Sequence, residues 1–182
     1  MSLIDIKSMI EEELVGEIEK LSEPKFRAKQ VYNWLNKGVE SFDEMRNLPL
    51  TLRNKLSEKY YIASAKIERK LVSKRDGTIK YLFRLFDDEF VESVLMKYKH
   101  GYSICISTQV GCKMGCKFCA TGKSGFSRNL SASEMLAQIE KAQKDNNIRI
   151  SNVVLMGMGE PLDNYDNVLR FLKLVSIPDG LN

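Results

Sequence analysis

The sequence predicts an α/β protein in three parts: a helical module over residues 1–65, a small antiparallel β meander over 66–100, and, from 101 to 182, the first two β/α units of an incomplete barrel. Three observations carry this reading. Apolar residues recur at helical spacing through the first sixty positions, an Asp76-Gly77 turn separates two strand-like runs, and after Gly101 strands alternate with helices.

The composition sets the frame. Hydrophobic residues at 43% and charged residues at 29% are globular values, so enough apolar surface exists to bury a core. No apolar run approaches the roughly 18 to 20 residues that span a bilayer, and the acidic start lacks the basic segment of a secretion signal. A cytoplasmic protein without membrane association is expected. The net charge of +4 is unevenly spread: residues 1–22 hold six acids and two bases, whereas 23–75 hold thirteen bases and six acids.

The first helix is expected from about Ile4 to Leu21, with Ile10, Leu14, Ile18 and Leu21 on one face and many acids on the other. Pro24 suits the first turn of a second helix running to Asn36, with Phe26, Val31, Trp34 and Leu35 as its apolar stripe and Gly38 placed to end it. Ser41 and Glu44 have the spacing of a capping box, and Pro49 opens a further helix towards Tyr60. Strands follow at 67–74, 78–86 and 90–96, joined by Asp76-Gly77 and Asp87-Asp88.

From Ser103 to Ser107 another strand leads into a long cysteine-bearing loop. The helix after it starts near Ser131, which forms a second capping box with Glu134, and should bury Met135, Leu136, Ile139 and Ala142. A continuous apolar strand at 152–156 is read as parallel, then a Gly-rich turn and a helix from about Tyr165 with Val168, Leu169, Leu172 and Val175 inward. Two β/α units cannot close a barrel, so the chain is expected to be an amino-terminal fragment.

Three of the four cysteines, Cys112, Cys116 and Cys119, stand at C-x3-C-x2-C, close enough for one loop to wrap three sulfurs around one metal centre. A structural zinc site and an electron-transfer cluster each want four ligands, whereas three thiolates leave one iron of a [4Fe–4S] cluster open. Such an iron can chelate S-adenosylmethionine and pass it an electron, which releases a 5′-deoxyadenosyl radical. The competing reading is zinc, completed by Cys105 or His100. Phe118 either shields the cluster from water or packs on the core.

The loop is similar to the radical SAM signature, and Met156-Gly-Met-Gly-Glu-Pro-Leu-Asp-Asn-Tyr-Asp-Asn167 looks like the GEP element of that superfamily. Cys105-Ile-Ser-Thr-Gln-Val-Gly-Cys112, Cys119-Ala-Thr-Gly and Gly125-Phe-Ser-Arg-Asn-Leu130 resemble the RlmN group of dual-specificity RNA methyltransferases. So do Phe26-Arg-Ala-Lys-Gln-Val-Tyr-Asn-Trp-Leu35 and Ser41-Phe-Asp-Glu-Met45, which look like the group's accessory helical domain.

This resemblance implies methylation of adenine C2 in 23S rRNA and tRNA, a partial radical SAM barrel behind an RNA-binding module, and an external electron donor. C2 is an electron-poor carbon that cannot attack a sulfonium methyl, so a radical route makes chemical sense. In the family a methylated cysteine delivers the carbon. Cys105 matches the thiol that resolves the enzyme–RNA adduct by forming a disulfide with it, Glu92 matches the proton acceptor, and Gly159 and Glu160 match the cofactor-binding pair. Lys25, Arg27 and Lys29 are candidate phosphate contacts. The cluster and Cys105 use all four cysteines, leaving none to carry the methyl, so the 182 residues alone should be inactive. The complete enzyme is expected to be monomeric. A Cfr-like C8 methyltransferase, disfavoured by Arg128 and Asn129, and a non-catalytic zinc-binding RNA module are the alternatives.

Overall fold

The structure, a computed structural model, describes residues 3–176. The chain divides into two compact units, one holding residues up to Ala63 and those from Lys173 onward, the other Ser64–Leu172. Among the described residues no helix is long and apolar enough to cross a membrane.

In the first unit the elements are β1 (Ile4–Asp5), α1 (Glu11–Lys20), α2 (Phe26–Asn36), a 3₁₀ turn (Phe42–Glu44), α3 (Leu50–Lys59) and β2 (Tyr60–Tyr61). The expected start of the first helix at Ile4 is corrected. Ile4 and Asp5 pair in parallel with Tyr60 and Tyr61, and the Asp5 carboxylate then accepts from the Lys7 N–H (3.1 Å) and the Ser8 hydroxyl (2.7 Å), closing a turn before α1. The helix proper begins where the Glu13 carboxylate accepts from the Ile10 N–H at 3.0 Å.

Leu14 and Ile18 of α1, Ala28, Val31 and Leu35 of α2, and Leu52 and Leu56 of α3 form one core with Met45 and Tyr60. Phe26, expected in the α2 stripe, lies 58% exposed with Arg27 over its ring, while Ala28 and Tyr32 take the inward positions. The Ser41/Glu44 box forms: Ser41 Oγ accepts from the Asp43 N–H and Glu44 accepts from the Ser41 N–H.

Glu17 joins three groups of this unit. Lys20 Nζ at 2.6 Å, the Tyr60 hydroxyl and Lys59 Nζ at 3.0 Å hold its carboxyl at about 2, against an ordinary 4.5. Because the folded value is depressed, the stabilisation is complete above about pH 4.5 and is lost as pH falls towards 2. Screened by the water that reaches both lysines, it is worth about 1 kcal/mol. Glu17→Gln should therefore lower urea stability by that amount at pH 7 and match the parent near pH 2.

The second unit contains β3 (Lys66–Val72), β4 (Ile79–Arg84), β5 (Phe90–Tyr98), β6 (Gly101–Cys105), β7 (Gln109–Gly111), a 3₁₀ turn (Thr121–Lys123), β8 (Phe126–Asn129), α4 (Ala132–Asn146), β9 (Ile150–Val154), a 3₁₀ turn (Pro161–Asn164) and α5 (Tyr165–Val175) as far as Leu172. The expected meander is no separate sheet. Its strands continue into one five-stranded sheet of order β3-β4-β5-β6-β9, antiparallel except for β6 with β9. The short β5–β6 connection leaves no room for a crossover, so β6 pairs back on β5 before the first parallel pairing can form.

One face of this sheet, with Tyr81, Phe83, Val91, Ser93, Leu95 and Ile104, is buried. Helix α4 packs there, its Gln138 accepting from the Ser93 hydroxyl (2.7 Å) and its Asp145 from the Tyr81 hydroxyl (2.6 Å). All four α4 residues expected inward are buried, and Ser131 and Glu134 form the capping box. On α5 the inward face is Val168, Phe171 and Leu174. Leu169 and Leu172, expected inward, are nearly half exposed, because i, i+3 and i+6 positions turn them to the flank. The opposite sheet face, with Leu82, Glu92, Val94, Met96 and Cys105, is only half-buried.

Candidate active site

The chain leaves β6 through Ser107-Thr108-Gln109, three polar residues with 1% exposure or less. Ser107 and Gln109 have side-chain partners, whereas Thr108 Oγ1 is buried without one among the described residues. The Gln138 side chain accepts from the Ser107 N–H (2.9 Å) and donates to its carbonyl (3.0 Å). Ser107 Oγ donates to the Glu92 carbonyl (2.6 Å) and accepts from the Met158 N–H (2.9 Å). Gln109 reaches three ways: its Nε2 donates to Asn129 Oδ1 and Asp163 Oδ2, both at 2.8 Å, and its Oε1 accepts from the Glu160 N–H at 2.9 Å. The Asn164 amide donates to the Thr108 and Leu130 carbonyls, each at 2.8 Å. Side-chain periodicity does not flag these residues. Their one signal is the polar run Ser107-Thr108-Gln109 between Ile106 and Val110, where an apolar strand would continue.

The cysteine loop hangs from this segment. Strands β7 and β8 pair at its base, and the Cys112 N–H donates to the Gly125 carbonyl at 2.7 Å. Gly111, at φ +75°, has no room for a side chain: a Cβ would lie 2.0 Å from the Gly125 carbonyl oxygen. Within the loop, the Cys119 N–H donates to the Cys116 carbonyl at 3.1 Å. Cys112 and Cys119 are half-buried and Cys116 is exposed. Backbone N–H groups of Gly122 and Thr121 hold the Cys119 thiol below its ordinary range. Among the described residues no three His, Cys, Asp or Glu side chains stand at metal-binding separation, so the three cysteines share a loop without being gathered into a finished site. Phe118 is 95% exposed, which rules out the core-packing reading of that residue.

The Gly-rich turn after β9 forms the adjacent wall. Gly157 lies against the Ile106 backbone and Gly159, at φ +102°, against Gln109, where a Cβ would fall 2.6 Å from the Gln109 Cβ. Both glycines are thus required by contact with the segment that carries the loop. Glu160 caps the following 3₁₀ turn, its Oε1 accepting from the Leu162 N–H at 3.1 Å. Lys113, beside Cys112, pairs with Asp163 at 2.9 Å and, with Gln109, holds that carboxyl below its ordinary range. Loop and turn are therefore tied by Gln109 and by the Lys113–Asp163 pair.

Glu92 and Cys105 lie on the half-buried sheet face: Cys105 stands opposite Val94, and Glu92 is two residues along β5 on the same side. Glu92 is paired with Lys80 at 2.8 Å. Burial pushes the Cys105 thiol up, partly opposed by the Met156 backbone. Arg128 forks onto Glu134, with Nη1 and Nη2 each at 2.8 Å, and its Nε reaches Asp87 at 2.7 Å. Glu134 is 3% exposed, so this bidentate pair fastens β8 to the start of α4.

Residues 4–62 match the family model for the ribosomal RNA large subunit methyltransferase N-terminal domain, and residues 106–181 match that for the radical SAM superfamily. A protein named probable dual-specificity RNA methyltransferase RlmN from Alkaliphilus metalliredigens (strain QYMF) is 54% identical over 182 residues, covering 100% of this chain and 52% of that one. One of the same name from Clostridium novyi (strain NT) is 55% identical over 172 residues, 94% of this chain and 50% of its own length. The crystal structure of a radical SAM methyltransferase from Sphaerobacter thermophilus superposes with a TM-score of 0.85 at 35% identity, covering 98% of this chain and 54% of that one. The chain spans about half the length of the curated relatives it matches. Its helical segment matches the one family model and its cysteine-bearing segment the other, and along its whole length the chain is similar to proteins named RlmN.

Proposed function

We propose that these residues supply the cluster loop, the cofactor-binding turn and part of the substrate face of an RNA methyltransferase acting on adenine C2 in 23S rRNA and tRNA. The observation that carries this reading is the cysteine loop itself: three thiols within eight positions, on a β7–β8 stem bonded to the Glu160 turn. Cys112, Cys116 and Cys119 fit a [4Fe–4S] cluster with one open iron, and the backbone N–H groups that favour the Cys119 thiolate fit metal ligation. With S-adenosylmethionine bound, that group supplies the radical needed to functionalise an electron-poor carbon.

The chain's own residues serve the rest of the reaction. Gly159 and Glu160 present the turn to the cofactor, held against the loop by Gln109. Glu92, paired with Lys80, is the acceptor for the proton leaving C2, and it shares a sheet face with Cys105. Burial favours the protonated Cys105 thiol, which is held in reserve as the resolving thiol. The cytoplasm is the chain's compartment, and a cellular reductant its electron source.

Anaerobic reconstitution with ferrous iron and sulfide tests the reading. The expected product is brown, air-sensitive and holds about four irons per chain. A colourless protein with one tightly held zinc would replace the enzymatic reading with a zinc-binding RNA module.

A further inference from the structure

The β5–β6 hairpin lies at the end of the sheet away from Cys105, and the functional reading above leaves it unused. Its sequence, Lys97-Tyr-Lys-His-Gly-Tyr102, has two lysines, a histidine, two tyrosines and no acid. Tyr98 is 48% exposed, yet its ring stacks on His100 with centroids 5.3 Å apart and planes 4° from parallel. Lys97 lies over the Tyr102 ring at 5.8 Å. Lys99 makes no ion pair among the described residues.

The β3–β4 turn adds to this end of the sheet. Asp76 and Gly77 line a depression of about 220 Å³ together with Lys97 and Tyr102, and the turn also carries Lys74 and Arg75. The Asp76 carboxylate is engaged locally by the Thr78 N–H at 3.1 Å. Lys97 and Tyr102 lie on the sheet face opposite to Tyr98, so the exposed ring pair sits at the end of the hairpin with Lys97 and Lys99 flanking it in sequence. A protein partner would want apolar cover for the rings, and a membrane would want a larger apolar surface. An unpaired nucleotide offers what this surface lacks: a π-face for the rings and a phosphate for the lysines.

Register links the hairpin to the candidate site. Tyr98 is on the same sheet face as Met96, Val94 and Glu92, and its hydroxyl lies 3.3 Å from Met96 Sδ. Tyr98 stands opposite Gly101, four residues along β6 from Cys105, or ~13 Å at the rise of a strand. We propose that the Tyr98–His100 stack is a base-stacking platform for an unpaired RNA nucleotide near the target adenine, with Lys97 and Lys99 as its phosphate contacts. This rests on the RNA-modifying reading and assigns that substrate a second contact surface, separate from the basic helical module.

Binding of a labelled 12-nucleotide single-stranded RNA to the full chain, followed by fluorescence anisotropy from about 50 to 200 mM salt, tests it. Tyr98→Ala with His100→Ala should weaken binding about tenfold at every salt concentration and leave the salt slope unchanged, whereas Tyr98→Phe keeps the parent affinity. Lys97→Ala with Lys99→Ala should lower the slope by about 1.4, the share of two phosphate contacts to a single strand. Unchanged circular dichroism and iron content in each variant exclude misfolding. If the parent binds and the ring variant binds equally well, the platform is overturned. Should affinity instead fall only on replacing Lys25, Arg27 and Lys29, the RNA-modifying reading survives and this surface does not. A parent chain that ignores RNA overturns both RNA assignments, while the iron analysis judges the cluster independently.

Discussion

Replacing Gly111 by alanine should prevent cluster assembly although every cysteine remains. The residue sits at φ +75°, and the added Cβ would meet the Gly125 carbonyl oxygen at 2.0 Å. That oxygen is backbone and accepts from the Cys112 N–H, so it cannot swing aside as a flexible side chain would. The β7–β8 pairing must open, at a cost of about 3 kcal/mol for a strained left-handed residue and its lost contacts. With the base open, Cys112 no longer holds a fixed place relative to Cys116 and Cys119. The variant should bind less than half the parent's iron after reconstitution, and its urea midpoint should fall with an unchanged slope. Gly115→Ala is the informative control, because its Cβ would meet nothing within 4 Å, although its φ of +66° makes a smaller strain unavoidable. Equal iron in the Gly111 and Gly115 variants would refute the argument from the stem.

The second large effect is expected at Gln109. Leucine has nearly its shape but none of its hydrogen bonds. Gln109→Leu takes their Gln109 partner from the half-buried Glu160 N–H and from Asn129 Oδ1 and leaves Asp163 to Lys113 alone. A lost buried bond costs about 1 to 3 kcal/mol for each group left unsatisfied, and the total here should be about 3 kcal/mol, since these bonds share one residue and do not add. Hydrogen exchange gives the specific signature: amide protection should fall at Glu160 and Cys112 together, though they belong to different elements. Gln109→Glu separates shape from charge. Its carboxylate can still accept from the Glu160 N–H but repels Asp163, so the turn should part from the loop more at neutral pH than under acidic conditions. Protection at Glu160 and Cys112 that stays at the parent level in Gln109→Leu would show that the Lys113–Asp163 pair alone ties the two.

How much of this could be read from the sequence depends on the range of the interaction. The capping boxes at Ser41 and Ser131 are complete within four residues, so their spacing is visible in the chain and their geometry followed. The Asp76-Gly77 turn is likewise local, with Gly77 at φ +72°. Ile4 and Asp5 are different: what makes them a strand is Tyr60 and Tyr61, and nothing nearby in the sequence announces those partners. On α5, Leu169 and Leu172 fit a helical stripe as well as Phe171 does, and periodicity alone cannot say which side is covered. The cysteine spacing was legible because all three thiols fall within eight consecutive positions of one loop. The hub at Gln109 was not, because a buried glutamine is indistinguishable in sequence from a solvated one until its partners at 129, 160 and 163 are known.

Those separations also fix an order in time. The stem joins Gln109 to Asn129 across 20 positions, whereas the bond to Asp163 closes a loop of 54. Closing the longer loop costs more chain entropy, and during synthesis its far end emerges tens of residues later. The cysteine loop therefore has its stem before it has its wall. Under the cluster reading proposed above, iron arriving during that interval would meet three thiols whose carrying strand is not yet anchored by the Glu160 turn, so the docking of Gln109 would have to precede productive loading.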